Sequence, residues 1–156
     1  LLDAVITQNI DLLHQKAGSV NVIEIHGSPS VHSCPACGFS MGFEEVQPIV
    51  REGGMPRCPS CGRALKPEIV FFGESLPAKA IDRAVAEARK ADAMLVLGSS
   101  LVVYPAASLP EMTLNAGGKI VIVNDMPTHL DGRASLRFDD LESTFTALES
   151  RLQGLA

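Results

Sequence analysis

The sequence predicts an α/β fold, a doubly wound parallel sheet interrupted by a small cysteine-bearing insertion. Three observations predict it. Apolar runs at residues 4–6, 22–25, 94–97 and 120–123 are β-branched or Leu-rich with little polar alternation, as in strands covered on both faces. Helical periodicity lies between and after them. All four cysteines fall in one block that breaks this rhythm.

With 156 residues the chain can enclose one core, and 46% apolar residues suit a globular domain rather than a disordered one. Aromatics are only 4%, so Val, Ile, Leu and Ala must build that core. A net charge of −5 gives no footprint for non-specific nucleic-acid binding, and no apolar run reaches the roughly 20 residues of a membrane span. A fifth, weaker strand is expected at residues 135–138. Ser75 is expected to cap a helix that carries Pro77 in its first turn and buries Ile81, Ala84, Val85 and Ala88. Residues 105–116 read as helix, with Pro110 kinking or restarting it. Leu141, Phe145, Leu148 and Leu152 share one face of a C-terminal helix.

Each good strand runs directly into small or polar residues: Thr7, Gln8, Asn9 and Asp11 after the first, His26 and Gly27 after the second, Gly98, Ser99 and Ser100 after the third, Asn124 and Asp125 after the fourth. In an open parallel sheet such ends share one edge, where ligands bind. Glycine admits a close backbone approach, and hydroxyls and amides suit phosphate and ribose oxygens. Taken singly, each segment also reads as an ordinary turn or helix cap. His26 suits a general base, or equally a hydrogen-bonded turn residue. His14, His32 and His129 carry no such signal.

Residues 28–67 hold Cys34-Pro-Ala-Cys37 and Cys58-Pro-Ser-Cys61, with twenty residues between the pairs and a glycine, Gly38 or Gly62, after each. This is the spacing of a zinc ribbon. Four thiolates close a tetrahedral site, so one Zn²⁺ there would be structural. Paired knuckles favour a reducing compartment over a disulfide framework, which places the chain in the cytoplasm.

Together these segments resemble the sirtuin (silent information regulator) family of NAD-dependent protein deacetylases, of bacterial and archaeal type. The resemblance is carried by Thr7-Gln8-Asn9-Ile10-Asp11-Leu12-Leu13-His14, Glu24-Ile25-His26-Gly27, the cysteine pairs, residues 66–74 (KPEIVFFGE), residues 98–105 (GSSLVVYP) and residues 120–124. It implies a Rossmann-like NAD-binding domain from residues 1–27 and 68–156, with residues 28–67 as the zinc module. It implies transfer of the acyl group from lysine to ADP-ribose with release of nicotinamide. His26 would be the general base and Asn9 would order the ribose or a water. Gln8, Asn9, Asp11, Gly98, Ser99, Ser100, Asn124, Asp125 and Leu141 would hold NAD. Val70, Phe71, Gly73, Glu74, Val102 and Tyr104 would hold an acetyl-lysine protein or peptide, the flanking segments pairing with it as an added strand. The oligomeric state is left open.

The family's first βα unit, with its glycine-rich phosphate turn, has no counterpart here. Gly53-Gly54 lies in the cysteine block and Gly117-Gly118 precedes a strand, so neither replaces it. The chain opens on Leu1 and runs straight into an apolar strand. It is therefore expected to lack an N-terminal part, to bind NAD weakly and to have little activity alone. Two other functions share these features: a zinc-ribbon binding module without catalysis, and NAD-dependent ADP-ribosyl transfer.

Overall fold

A computed structural model describes residues 2–154. The chain forms two compact units, Leu1–Ile81 and Asp82–Ala156.

In the first unit, β1 (Val5–Thr7) and β2 (Val22–Glu24) pair in parallel, Val5 opposite Val22 and Thr7 opposite Glu24. A short helix, α1 (Leu13–Lys16), lies between them. A second sheet follows, with β3 (Gly27–Ser33) antiparallel to both β4 (Ser40–Gly42) and β5 (Lys66–Ile69). Glycine is required where β3 begins. Gly27 has φ +74°, and a Cβ there would lie 2.1 Å from the Glu68 carbonyl oxygen. Helix α2 (Phe43–Arg51) was not expected from the sequence. It starts because Glu45 Oε2 accepts the Gly42 N–H at 2.9 Å, half of a capping box, and it tolerates Pro48 in its interior.

In the second unit, β6 (Ala93–Leu97), β7 (Lys119–Val123) and β8 (Leu136–Phe138) form a parallel sheet in the order β6-β7-β8. Helix α3 (Ala78–Lys90) leads into it and buries Ala84 and Ala88. Its first backbone bonds go to the Pro77 carbonyl, so the helix starts later than a Ser75 cap would place it. Pro110 restarts the next helix as expected: a 3₁₀ turn at Ala106–Ser108 gives way to α4 (Leu109–Asn115), with the proline in its first turn where no N–H is needed. Val96, Leu101, Ala107, Ile120, Ile122 and Leu130 form the core.

The opposite face of this sheet departs from the expectation of strands buried on both sides. Leu95, Leu97, Leu136 and Phe138 stay 41–57% exposed. Leu141, Phe145, Leu148 and Leu152 of α5 (Leu141–Gln153) are likewise 39–55% exposed, and their shared face covers no core among the described residues. The apolar composition of these runs satisfies the pattern of a two-sided strand, but the pattern does not reveal whether both sides are covered. No helix among the described residues is long and apolar enough to cross a membrane.

Candidate functional site

The two cysteine knuckles are built alike. Cys34 N–H donates to the Phe39 carbonyl and Gly38 N–H to the Cys34 carbonyl; Cys58 N–H donates to the Arg63 carbonyl and Gly62 N–H to the Cys58 carbonyl. Gly38 and Gly62 both sit in the left-handed region, at φ +74° and +73°, which closes each turn back on its cysteine pair. All four Sγ atoms lie within 4.8 Å of one another. The separations of Cys34 from Cys61 and of Cys37 from Cys58 are 3.4 Å, and that of Cys37 from Cys61 is 3.8 Å. Four sulfurs bound at about 2.3 Å to a tetrahedral Zn²⁺ would stand about 3.8 Å apart, so the cluster fits that ion.

The backbone prepares the thiolates. The Ala36 N–H leads in holding the Cys34 thiol at about 6, against the opposing effect of its burial. For Cys37 the Phe39 N–H acts in the same direction, but the neighbouring Cys58 and Cys34 sulfurs outweigh it and push the thiol up to about 12. Four negative sulfurs at this spacing repel one another strongly, and a divalent cation is what lets all of them ionise.

In the first unit the ends of β1 and β2 bring Gln8 and His26 together. His26 Nδ1 lies 3.1 Å from the Gln8 carbonyl oxygen. A carbonyl only accepts, so Nδ1 carries the proton and Nε2 is left as the basic nitrogen. The Val70 N–H donates to the His26 carbonyl at 2.9 Å, tying the end of β5 to the same point. Thr7 Oγ1 accepts the Asn9 N–H, and Asp11 Oδ1 accepts the Leu13 N–H, so the segment after β1 is folded by its own side chains.

The segment after β5 is held by a lysine that sequence reasoning did not single out. Lys66 Nζ donates to Glu74 Oε2 and to the Ile69 carbonyl, each at 2.9 Å, and lies 4.6 Å from the centroid of the Phe71 ring. Glu74 Oε2 also accepts the Phe71 N–H. These bonds close the turn through Gly73, at φ +85°. Phe72 is fully exposed and Phe71 about half exposed, so neither is a core residue. The lysine and the glutamate are eight residues apart, a spacing that matches no local period, and only the fold joins them.

In the second unit the ends of β6, β7 and β8 assemble Gly98, Ser99, Asn124 and Leu141. Gly98, at φ +59°, donates its N–H to the Val123 carbonyl, and Asn124 N–H donates to that of Phe138. Leu141 Cδ1 is 3.5 Å from where a Cβ on Gly98 would sit. Leu101 takes a left-handed conformation, φ +55°, which its own burial in the core sustains, and its N–H donates to Ser99 Oγ. Ser100 is half-buried beside it. Asn124 is buried, and its Nδ2 donates to the Met126 carbonyl. Asp125 Oδ1 accepts the Met126 N–H. Val102 and Tyr104 are well exposed, at 70% and 66%.

The fold and the site define an α/β protein with parallel strands and a closed four-sulfur metal site. The family model described as Sir2 family matches residues 2–105. The NAD-dependent protein deacetylase of Thermotoga maritima is 48% identical over 139 residues, which is 89% of this chain and 56% of that protein. NAD-dependent protein deacylase 2 of Archaeoglobus fulgidus is 48% identical over 132 residues, 84% of this chain and 52% of that protein. Among solved structures, a Sir2 complex with a p53 peptide and NAD⁺ superposes with a TM-score of 0.89 at 43% identity, covering 99% of this chain and 65% of the other. A complex of Sir2Tm with a propionylated peptide gives 0.89 at 44%, covering 100% and 66%. The chain belongs to the Sir2 family. It spans about half the length of the relatives it matches.

Proposed function

We propose that this protein is an NAD-dependent protein-lysine deacetylase, transferring the acyl group from lysine to ADP-ribose with release of nicotinamide. The observation that carries the reading is His26. Its Nδ1 is committed to the Gln8 carbonyl within a sequence 48% identical to a bacterial deacetylase, which supports a role for Nε2 as the base. NAD, when bound, supplies the ribose that accepts the acyl group and the nicotinamide that leaves. The residues proposed to hold it are Gln8, Asn9, Asp11, Gly98, Ser99, Ser100, Asn124, Asp125 and Leu141. Their backbone N–H, hydroxyl, amide and carboxylate groups suit phosphate, ribose and nicotinamide. His26 Nε2 takes the proton of a ribose hydroxyl, while Asn9 orders the ribose or a water beside it.

An acyl-lysine protein or peptide is assigned to Val70, Phe71, Gly73, Glu74, Val102 and Tyr104. The p53 and propionylated peptides of the similar structures support that substrate class. In this reading residues 28–67 are a structural zinc module, and residues 1–27 with 68–156 the NAD-binding domain. Four thiols that must stay reduced to hold an ion support a cytoplasmic location.

The test is incubation of the full-length natural protein carrying this sequence with NAD and an acetyl-lysine peptide. Nicotinamide and deacylated peptide are expected in equal amounts, and His26→Ala is expected to slow both by about 10²-fold or more. ADP-ribose attached to protein would point to ADP-ribosyl transfer, and no nicotinamide at all to a binding module.

A further inference from the structure

One guanidinium binds two backbone carbonyls at the turn that holds Asn124 and two carboxylates beside it. Arg137 lies in the middle of β8, in register with Ile122 of β7. Its Nη2 donates to the Asn124 carbonyl at 3.0 Å and to the Met126 carbonyl at 3.3 Å. Its Nε donates to Asp131 Oδ2 at 2.9 Å, and its Nη1 pairs with the Asp139 carboxylate. The arginine therefore joins three segments that are separate in sequence: the turn leaving β7, the 3₁₀ turn at Asp131–Arg133, and the residues leading into α5.

The Asp131 carboxylate is itself held by the Thr128 hydroxyl at 2.6 Å. The Met126 carbonyl receives both Arg137 and Asn124 Nδ2. That second bond commits the amide nitrogen of Asn124 and leaves its Oδ1 as the atom offered to a donor such as a ribose hydroxyl.

We infer that Arg137 is a positioning residue for NAD: it fixes the turn that orients the Asn124 amide, and so sets cofactor affinity without touching the reacting atoms. The inference rests on the assignment of Asn124 to NAD made above. Arginine is needed because a planar fork of five donors reaches acceptors on three segments at once, whereas a lysine ammonium is a single point. Arg137→Lys keeps the charge beside Asp131 and cannot span to both carbonyls.

The experiment is steady-state kinetics and calorimetric NAD titration on the full-length natural protein and on Arg137→Met, Arg137→Lys, Asn124→Ala and the double variant Asn124→Ala/Arg137→Met. Expected are a rise of about tenfold in the KM for NAD in Arg137→Met, a smaller rise in Arg137→Lys, and an unchanged peptide KM and kcat at saturating NAD. In the Asn124→Ala background, Arg137→Met should add almost nothing, because both substitutions disable one hydrogen-bonding unit. Independent, multiplying effects would overturn the inference. So would an unchanged NAD KM in Arg137→Met, or equal losses in both substrates' KM and in kcat across both Arg137 variants. If the unsubstituted protein fails to bind NAD, the functional reading falls and this inference with it; if only the Arg137 variants behave like the unsubstituted protein, the reading stands and the inference alone fails.

Discussion

The cysteine region and the β6–β8 sheet are stabilised by different chemistry. In the first, the buried cluster is Cys34, Cys58 and Leu65, with Phe39 and Met41 packed against it. Two of its three members are candidate metal ligands. In the second, the cluster is Val96, Leu101, Ala107, Ile120, Ile122 and Leu130, all aliphatic and nearly inaccessible. A region of turns, three short strands and one nine-residue helix, with only these few side chains buried together, encloses little apolar area to offset its conformational entropy, so an ion must supply what a core otherwise would. The sheet needs no such help on its packed face. Stability is therefore expected to depend on metal in one region and on side-chain volume in the other.

Metal removal is the largest way to break that comparison. Structural Zn²⁺ contributes on the order of 10 kcal/mol in small metal-folded units. Chelation, or Cys58→Ser, is expected to abolish amide protection across residues 34–65 while β6–β8 keep theirs, as hydrogen exchange with and without chelator would read out. Loss of both regions together would show that they do not fail independently. Retention of protection at Cys34 and Cys58 after the metal is gone would show that the ion is not the stabilising element.

Ile122→Ala is the next largest. Ile122 is completely buried between the packed elements of the second unit, and its truncation should cost about 2–5 kcal/mol. Denaturant unfolding followed at β6–β8 would measure it. The contrast is sharpest if the cysteine region keeps its metal affinity in this variant.

The same contrast governs what could be read from the sequence. Strands β6 and β7 were legible because β-branched runs followed by Gly98-Ser99-Ser100 and Asn124-Asp125 are a local signal. The cysteine cluster was legible because knuckle spacing encodes geometry directly. Helix α2 was not, since Pro48 and the glycines around it mask a capping interaction that needs only Gly42 and Glu45. The start of α3 lay beyond Ser75 because the Pro77 carbonyl takes the first helical bonds. Arg137 and Lys66 escaped for another reason. Their partners are set by strand register and turn closure, and no periodicity in the chain relates Lys66 to Glu74 or Arg137 to Asn124.

The smallest expected effect tests a region that neither metal nor core stabilises. The Phe71–Glu74 turn is held by one carboxylate, Glu74, whose ionised form accepts from the Phe71 N–H and from Lys66. The Phe71 N–H, then the Lys66 ammonium, hold its carboxyl below the usual value of 4.5. A depressed folded-state value means the contribution is fully present above pH 4.5 and is lost as pH falls through the lower folded value. Both partners are solvent-accessible, so salt should weaken the pair. Acidification below about pH 4.5 is therefore expected to shift and then broaden the Phe71 amide resonance before the β6–β8 amides change. Glu74→Gln should place that resonance near its acid position already at neutral pH. A Phe71 amide that ignores both pH and the substitution would mean the turn is shaped by Gly73 and the backbone alone, and that the Lys66–Glu74 pair is incidental to it.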